Sequence, residues 1–493
     1  MTVRLSQKNI NELPETVAVP SYDRRALTPG ILHIGVGNFH RAHQAVYLER
    51  LFNKSHDHDW GIVGAGIMPY DAEKREQLKC QDWLSTIIEL DPEGYTARVC
   101  GAMIDFAEVS NLGLIAALCK PEIRIVSMTV TEGGYFVDPK TGGFNADHPD
   151  IQFDVKNSDT PKTVFGAIVA ALQIRFSQNI QPFTIMSCDN LPHNGEVTKR
   201  TVIGLANMMN SEFADWIADN VAFPNGMVDC ITPATGDRER QMAVDRFGIE
   251  DPSVVVCEPF RQWVLEDNFP QGRPALEKVG VEFVQDVAPY ELMKLRILNG
   301  GHASLAYAAA LLGIEYAHEA IETPVIRAFV EKLEKQEIIP TVSAVPGVDL
   351  HQYLKQTLER FSNAGIGDTI PRLCQDGSNR QPKFIFPTLS DRLEQGLPVP
   401  GLALELALWC RYCAGTDESG KSLCIDDENA ERLQKNALLA KTEPGAFLGM
   451  IDIFGPMGSN EQLIEEFSIA LDSLWKHGTK ATLKNYTNEK VIA

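Results

Sequence analysis

The chain has 493 residues, more than one hydrophobic core ordinarily organises, so two or three domains are expected. Its apolar share of 44% and charged share of 23% are those of a globular protein, while 45 basic against 66 acidic residues leave a net charge of -21. That surplus repels phosphate backbones and argues against a nucleic-acid partner, yet a few local Arg or Lys side chains can still receive an anionic small molecule. Met1 to Pro20 is polar with no apolar signal core, and no stretch approaches the roughly 20 apolar residues that span a bilayer. The expected setting is the cytoplasm, with no membrane partner. Ten scattered cysteines then read as reduced thiols. Cys410 and Cys413 form a C-x-x-C inside the helical run Leu402–Tyr412, which reads as two core-facing thiols. There is no H-E-x-x-H and no cysteine knuckle, so no metal is expected.

In chain order, the first half alternates short apolar runs with helical patterns, the signal of a mostly parallel sheet flanked by helices. Ile31–Gly35 reads as a strand, His40–Phe52 as a helix, and Gly61–Gly66 as a second strand followed by a polar helix from about Asp71. Leu84–Leu90 and Tyr95–Cys100 flank Asp91-Pro92-Glu93-Gly94, a hairpin turn by residue type. Ile123–Val130 is a continuous β-rich run, as in a strand covered on both faces. Helix Lys162–Phe176 and strand Phe183–Ser187 continue the alternation. From about Tyr290 helical patterns take over: Glu291–Leu312, Thr323–Ile338, Leu350–Phe361, Leu402–Tyr412 and Asn460–Trp475. The expected architecture is α/β, a Rossmann-type doubly wound domain over residues 1–287 and a mainly helical domain over 288–493.

Ile31-Leu32-His33-Ile34-Gly35-Val36-Gly37-Asn38-Phe39-His40 runs from an apolar strand through G-x-G into a helix. The glycines permit a tight turn and close approach to a pyrophosphate, and the helix start offers unpaired N–H groups. His40 stands where the usual fingerprint has a third glycine. The first acid after the second strand is Asp71, whose carboxylate would accept from a ribose 2′-hydroxyl and repel a 2′-phosphate, favouring NAD over NADP. Capping of the following helix suits Asp71 equally well.

Glu291, Lys294, Asn299 and His302 form the second constellation. At about 100° per residue, taking Lys294 as zero, Glu291 falls near 60°, His302 near 80° and Asn299 near 140°. Leu292, Leu295 and Leu298 would then face the core. Gly300 and Gly301 in mid-helix cost about 1 kcal/mol each, which points to a close neighbour or ligand. Alcohol oxidation needs a base for the hydroxyl proton, and a lysine serves if burial lowers its pKa from about 10.4. Amide N–H groups can stabilise the developing oxyanion. Asn299 fits that role, as does Asn190, which follows the strand Phe183–Ser187 at its carboxyl end; either asparagine alone also reads as a turn or cap residue.

These residues carry a resemblance. The chain resembles the polyol-specific long-chain dehydrogenases, the group that includes mannitol 2-dehydrogenase and fructuronate reductase, essentially end to end. The matching segments are Gly35-Val36-Gly37-Asn38-Phe39-His40-Arg41-Ala42-His43, Thr129-Val130-Thr131-Glu132-Gly133-Gly134-Tyr135, Met186-Ser187-Cys188-Asp189-Asn190, Glu258-Pro259-Phe260 through Trp263, and the Lys294 helix. The resemblance implies Lys294 as base, Asn190 and Asn299 on the reacting oxygen, His302 holding substrate and Glu291 gating proton release. It places Gly35, Val36, Gly37, Asn38, Phe39, His40, Arg41, Asp71, Thr131 and Glu132 at an NAD cofactor. Tyr70 replaces the glutamate usual before Asp71, which leaves NADP tolerance open. Asp229 is expected to touch substrate, although Cys230 stands where the family has Arg. Arg372, Arg380 and Lys383 match a basic, substrate-facing segment. The implied activity is oxidation of D-mannitol to D-fructose, with mannonate and fructuronate as the alternative pair, and an idle NAD(H)-binding protein as the reading from another class. The expected assembly is a monomer or small homo-oligomer.

Overall fold

The computed structural model describes residues 2–138 and 141–488. The chain divides into two compact units, Met1–Ala288 and Pro289–Ala493.

Five parallel strands organise the first unit: Pro29–Ile34, Gly61–Ala65, Met103–Phe106, Ile125–Met128 and Thr184–Ser187. Their spatial order is third, second, first, fourth, fifth. The order therefore reverses between Pro29–Ile34 and Ile125–Met128, where Leu32 pairs with Val126. Such a reversal opens a crevice at the carboxyl ends of the two strands. The sheet is apolar on both sides because alternate side chains feed two cores. Leu32, Ile34, Val63, Ala65, Val126 and Met128 pack with helices Asn111–Leu118, Val164–Ser177 and Asn194–Met209, while Ile31, Ile62, Ile125 and Met186 pack with Gln44–Asn53.

The hairpin forms as its turn residues predict, Ser85–Glu89 lying antiparallel to Thr96–Cys100. It belongs to a separate four-stranded sheet with Val255–Cys257 and Val17–Ala18. Strands Gly226–Asp229, Gln262–Glu266 and Glu282–Val284 make a third sheet. The expected helix His40–Phe52 is two helices, Asn38–Ala42 and Gln44–Asn53, broken at His43, whose backbone stands at φ -118, ψ -86. Side-chain contacts account for the break: the His43 ring bonds the Gln262 carbonyl at 2.9 Å, stacks on Phe39 and meets Trp263 edge-on.

In the second unit no described residue lies in a named strand. Its helices include Ala288–Met293, Gly300–Leu311, Pro324–Leu333, Leu350–Phe361, Gly377–Phe384, Pro400–Cys413 and Glu461–His477. Two expected helices change winding partway. Lys294–Asn299 is a π-helical turn inside the expected Glu291–Leu312, and Glu334–Ile338 is another at the end of the expected Thr323–Ile338. No helix among the described residues is long and apolar enough to cross a membrane. Cys410 and Cys413 are buried free thiols.

Candidate active site

The loop after the first strand is built for close approach. Gly35 stands at φ +91, a conformation that L side chains rarely adopt, and a Cβ there would strike the Thr129 carbonyl. The Gly37 amide donates to the Gly35 carbonyl at 2.7 Å, closing the turn. A Cβ on Gly37 would find only the Gly35 carbonyl, 3.9 Å away, so one face of the loop is open backbone. That face fits a pyrophosphate. Beneath it His33 holds the turn, its ring nitrogens meeting Ser127 Oγ at 2.8 Å and both the Gly35 carbonyl and Thr129 Oγ1 at 3.2 Å.

Several side chains in this motif point inward. Val36 is buried and would meet a Cβ on Gly64 at 2.9 Å. His40 is buried and stacks on His33, ring centroids 3.4 Å apart. Burial holds the His33 pKa down to about 3, and burial followed by the neighbouring His33 and Arg41 holds His40 well below the usual histidine range. Arg41, also buried, has its pKa lowered by burial to about 10; its guanidinium donates to the Gly37 carbonyl, the Ser253 carbonyl and Asn38 Oδ1. Asn38 in turn donates to Thr235 Oγ1 at 3.2 Å. Val36, His40 and Arg41 therefore shape the loop from behind, leaving its backbone for a cofactor.

Asp71 is buried in the first turn of helix Pro69–Lys79 and accepts from the Met68 amide at 2.9 Å. Burial raises its pKa, while the Met68 and Ile67 amides pull it down. Gly66 lets it come this near, because a Cβ there would fall on the carboxyl group. Capping and ribose recognition are thus compatible: Oδ2 faces the helix amide, and the residue sits at the end of the second strand. One turn on, half-buried Lys74 has its pKa lowered to about 8 by burial and then by Arg41. The residue patterns gave no signal for Lys74, since only the fold brings it near Arg41.

Next to the reversal of strand order, Asp189 joins the loops after the fourth and fifth strands. Its carboxylate accepts from the Val130 amide at 2.8 Å, the Thr131 amide at 3.1 Å and the Tyr135 hydroxyl at 2.6 Å. Thr131 is held at φ +66, a costly conformation for a β-branched residue, which this clamp sustains. Thr131 and Asn190 are thereby brought into one cluster, with Asn190 exposed beside Asp189. Glu132 opens a short 3-10 turn, and its side chain lies outside the described residues. Asn194 fixes the same loop to the third sheet, donating to the Asp189 and Gly226 carbonyls at 3.1 and 2.7 Å and accepting from the Gly226 amide. Asp229, buried, ends that Gly226 strand opposite Gln262. Asp189, Tyr135 and Asn194 escaped the residue-by-residue reading; the polar run Ser187 to Gly195 after an apolar strand was the available signal.

The helical unit carries the remaining candidates on one element. Glu291 and Lys294 are buried, and Asn299 is half-buried. Leu292 and Leu295, expected in the core, are half-buried instead, while Arg296 is buried and bonds Thr341 Oγ1 and Asp391 at 2.6 Å each. Leu298 is buried as expected, and the π-turn that begins at Lys294 changes the placement of the residues after it. Bonding to the fifth residue lowers the rotation to about 80° per residue. The five steps from Lys294 to Asn299 then close to about 40° rather than 140°, and His302 moves to within about 20° of Lys294. The altered winding gathers the polar groups onto a narrower face than a regular helix allows.

His302 stacks on Phe361 with ring centroids 3.8 Å apart, and burial lowers its pKa to about 3, with Asp368 opposing and Arg372, Arg380 and Arg360 reinforcing. The helical unit thus brings His302, Arg372 and Arg380 together. Arg372 is bound at both ends of its fork by Asp368, Nε to Oδ1 at 2.6 Å. Arg380 donates to the Leu373 carbonyl at 3.0 Å. Lys383 is exposed in the last turn of the same short helix. Among the described residues no three His, Cys, Asp or Glu side chains converge as a metal site.

A five-stranded parallel sheet with this order and phosphate-type loop, in a chain with a second, helical unit, defines a protein of the Rossmann-type dinucleotide-binding class. The mannitol dehydrogenase Rossmann-domain model matches residues 29–278, and the mannitol dehydrogenase C-terminal-domain model matches residues 286–475. Mannitol 2-dehydrogenase of Cereibacter sphaeroides is 54% identical over 96% of this chain and 99% of its own length. Mannitol 2-dehydrogenase of Pseudomonas fluorescens, solved as a ternary complex with NAD and D-mannitol, is similar at a TM-score of 0.89 and 41% identity, covering 99% of this chain and 100% of that one. A substrate-free D-sorbitol dehydrogenase is similar at 0.90 and 35% identity, covering 97% and 100%. The chain belongs to the mannitol dehydrogenase family, and it is an oxidoreductase of the polyol dehydrogenase class.

Proposed function

We propose that this chain interconverts D-mannitol and D-fructose, with NAD as cofactor and Lys294 as the base. The observation that carries the chemistry is the π-turn, which begins at the buried Lys294 and stacks Asn299 one turn above it. In the oxidative direction the Lys294 amine takes the proton of the C2 hydroxyl. The Asn299 and Asn190 amide N–H groups donate to the same oxygen as it gathers negative charge. His302, uncharged across the neutral range, contributes a ring nitrogen to a substrate hydroxyl, and Asp229 and Lys383 hold others. Glu291, three residues before Lys294, passes the proton onward. The open backbone of Gly35 and Gly37 and the Asp71 carboxylate hold the dinucleotide, which when bound supplies the hydride acceptor.

The relatives named mannitol 2-dehydrogenase support the substrate. A hexonate such as mannonate is the second reading, favoured by the cations Arg372, Arg380 and Lys383. It is weakened by Asp368, which already occupies the Arg372 fork that a substrate carboxylate would need. Initial rates with NADH on fructose and fructuronate, and with NAD or NADP on mannitol, sorbitol, arabinitol and mannonate, separate the two. Fructose and mannitol with NAD are expected to lead by at least about tenfold in kcat/KM, a difference of about 1.4 kcal/mol in transition-state binding. Faster turnover of fructuronate would move the assignment to the sugar-acid pair.

A further inference from the structure

Helix Gly377–Phe384, which carries Arg380 and Lys383, is seated on helix Pro400–Cys413 through two contacts, one turn apart on each helix. At Gly377 a Cβ would lie 2.6 Å from Trp409 Nε1 and 2.9 Å from the Tyr307 hydroxyl, so the Trp409 and Tyr307 side chains pack directly on the Gly377 backbone, where no larger residue would fit. One turn later Gln381 Nε2 donates to Glu405 Oε1 at 2.6 Å. Both side chains are buried, Gln381 at 1% and Glu405 at 0% exposure.

That contact is incomplete as a carboxylate–amide pair. Glu405 Oε2 and Gln381 Oε1 are both buried without a partner, and both are acceptors. Turning the amide over merely exchanges which acceptor is left. A proton on Oε2 completes the pair: Oε2–H donates to Gln381 Oε1 while Oε1 accepts from Nε2. Unsatisfied buried acceptors are costly, and an ionised one far more so. We infer that Glu405 works as a neutral carboxylic acid, and that its two-bond pairing with Gln381 positions the helix bearing Arg380 and Lys383 against the substrate.

Burial raises the Glu405 pKa to about 8, the Gln381 hydrogen bond pulling the other way, so the acid form holds through neutrality and is lost in mildly alkaline solution. The ionisable groups around it are few. Tyr307, on Gly300–Leu311, is held well above the usual phenol range by burial, with Cys374, Glu405 and Cys413 adding to this and Arg380 opposing. At the start of the Glu405 helix, Glu337 accepts from the Gly401 and Leu402 amides at 2.7 and 3.0 Å and from the Tyr486 hydroxyl at 3.1 Å, and Glu466 accepts from the Val399 amide at 3.1 Å. Glu405 is therefore a positioning residue whose charge changes in mildly alkaline solution.

This inference rests on the proposed contact of Arg380 and Lys383 with substrate, and its test has two independent readouts. The first is the infrared difference spectrum of wild type against Glu405→Gln. A protonated-carboxyl band is expected at pH 7 that fades as pH rises through about 8; its absence at pH 7 would overturn the proposal. The second is the polyol KM between pH 7 and 9. It should rise several-fold in wild type with little change in kcat from this cause, and stay flat in Glu405→Gln, whose amide cannot ionise. Parallel KM profiles in the two proteins would overturn the positioning role. If the infrared band is present but Arg380→Ala and Lys383→Ala leave KM unchanged, the substrate reading of this helix fails, and the positioning role falls with it.

Discussion

The two units carry their candidate residues on different materials. In the sheet unit the candidate cofactor loop is backbone: two glycines, a left-handed turn and inward-facing His40 and Arg41 that brace it. In the helical unit the candidate chemistry is side chains on one helix whose winding changes at Lys294. A backbone site tolerates variation in its side chains but not in its turn. A side-chain site depends on each functional group and on the helix geometry that aligns them. Substitutions in the helical unit should therefore act on the chemical step, and those around the loop on cofactor binding and choice.

The largest contrast is expected from Lys294→Ala, which should lower kcat by on the order of 10²–10⁴-fold near neutral pH while NADH affinity, read by fluorescence titration, stays within about twofold. Next come Asn299→Ala and Asn190→Ala, each removing one proposed donor to the oxyanion and each expected to cost on the order of 10²–10³-fold in kcat. This pair sharpens the comparison, because Asn299 stands on the π-turn and Asn190 on a loop braced by Asp189. Full activity in Asn190→Ala would confine the chemistry to the helical unit. A smaller effect is expected from Asp71→Ala: the preference for NAD over NADP, measured as the ratio of kcat/KM, should fall by roughly tenfold, the size of one lost charge-assisted contact. The Arg41 and Lys74 cations nearby would then favour the extra phosphate.

Stability against acid gives the smallest expected effect. His33 and His302 have folded pKa values of about 3 against an ordinary 6.5, because burial disfavours the charged ring. The unfolded chain thus binds their protons first as pH falls, so their contribution is intact above about 6.5 and is lost progressively toward about 3. Denaturant titrations should show a loss on the order of 1 kcal/mol per ring by pH 5.5, removed for His302 in a His302→Asn variant. A flat profile would mean that these rings titrate normally.

The sheet unit was legible wherever local chemistry and long-range structure agree. Ile31–Gly35, Gly61–Gly66 and the Asp91–Gly94 hairpin follow from apolar runs bounded by turn residues, and all three appear. Met103–Phe106 and Gly226–Asp229 were missed because each short strand carries an aspartate that interrupts or ends its apolar run, whereas the equally short Ile125–Met128 and Thr184–Ser187 lie in longer apolar runs. The His43 break was invisible because it arises from contacts with Gln262 and Trp263, over two hundred residues away. In the helical unit Lys294, Asn299 and His302 could be picked out by residue type, and Gly300-Gly301 flagged the anomaly. The regular helix period then misplaced Asn299 and put Leu292 and Leu295 in the core. A π-turn is stabilised by tertiary partners such as Arg296 with Thr341 and Asp391, so no local periodicity announces it.

Single-turnover oxidation of mannitol by enzyme preloaded with NAD, followed as NADH appears across pH 6 to 10, tests the Lys294 assignment most directly. The wild-type rate is expected to rise with loss of one proton and then level off. In Lys294→Ala it should be far slower and climb with hydroxide concentration without levelling. A Lys294→Ala protein with the same plateau and the same midpoint as wild type would show that some other group takes the proton.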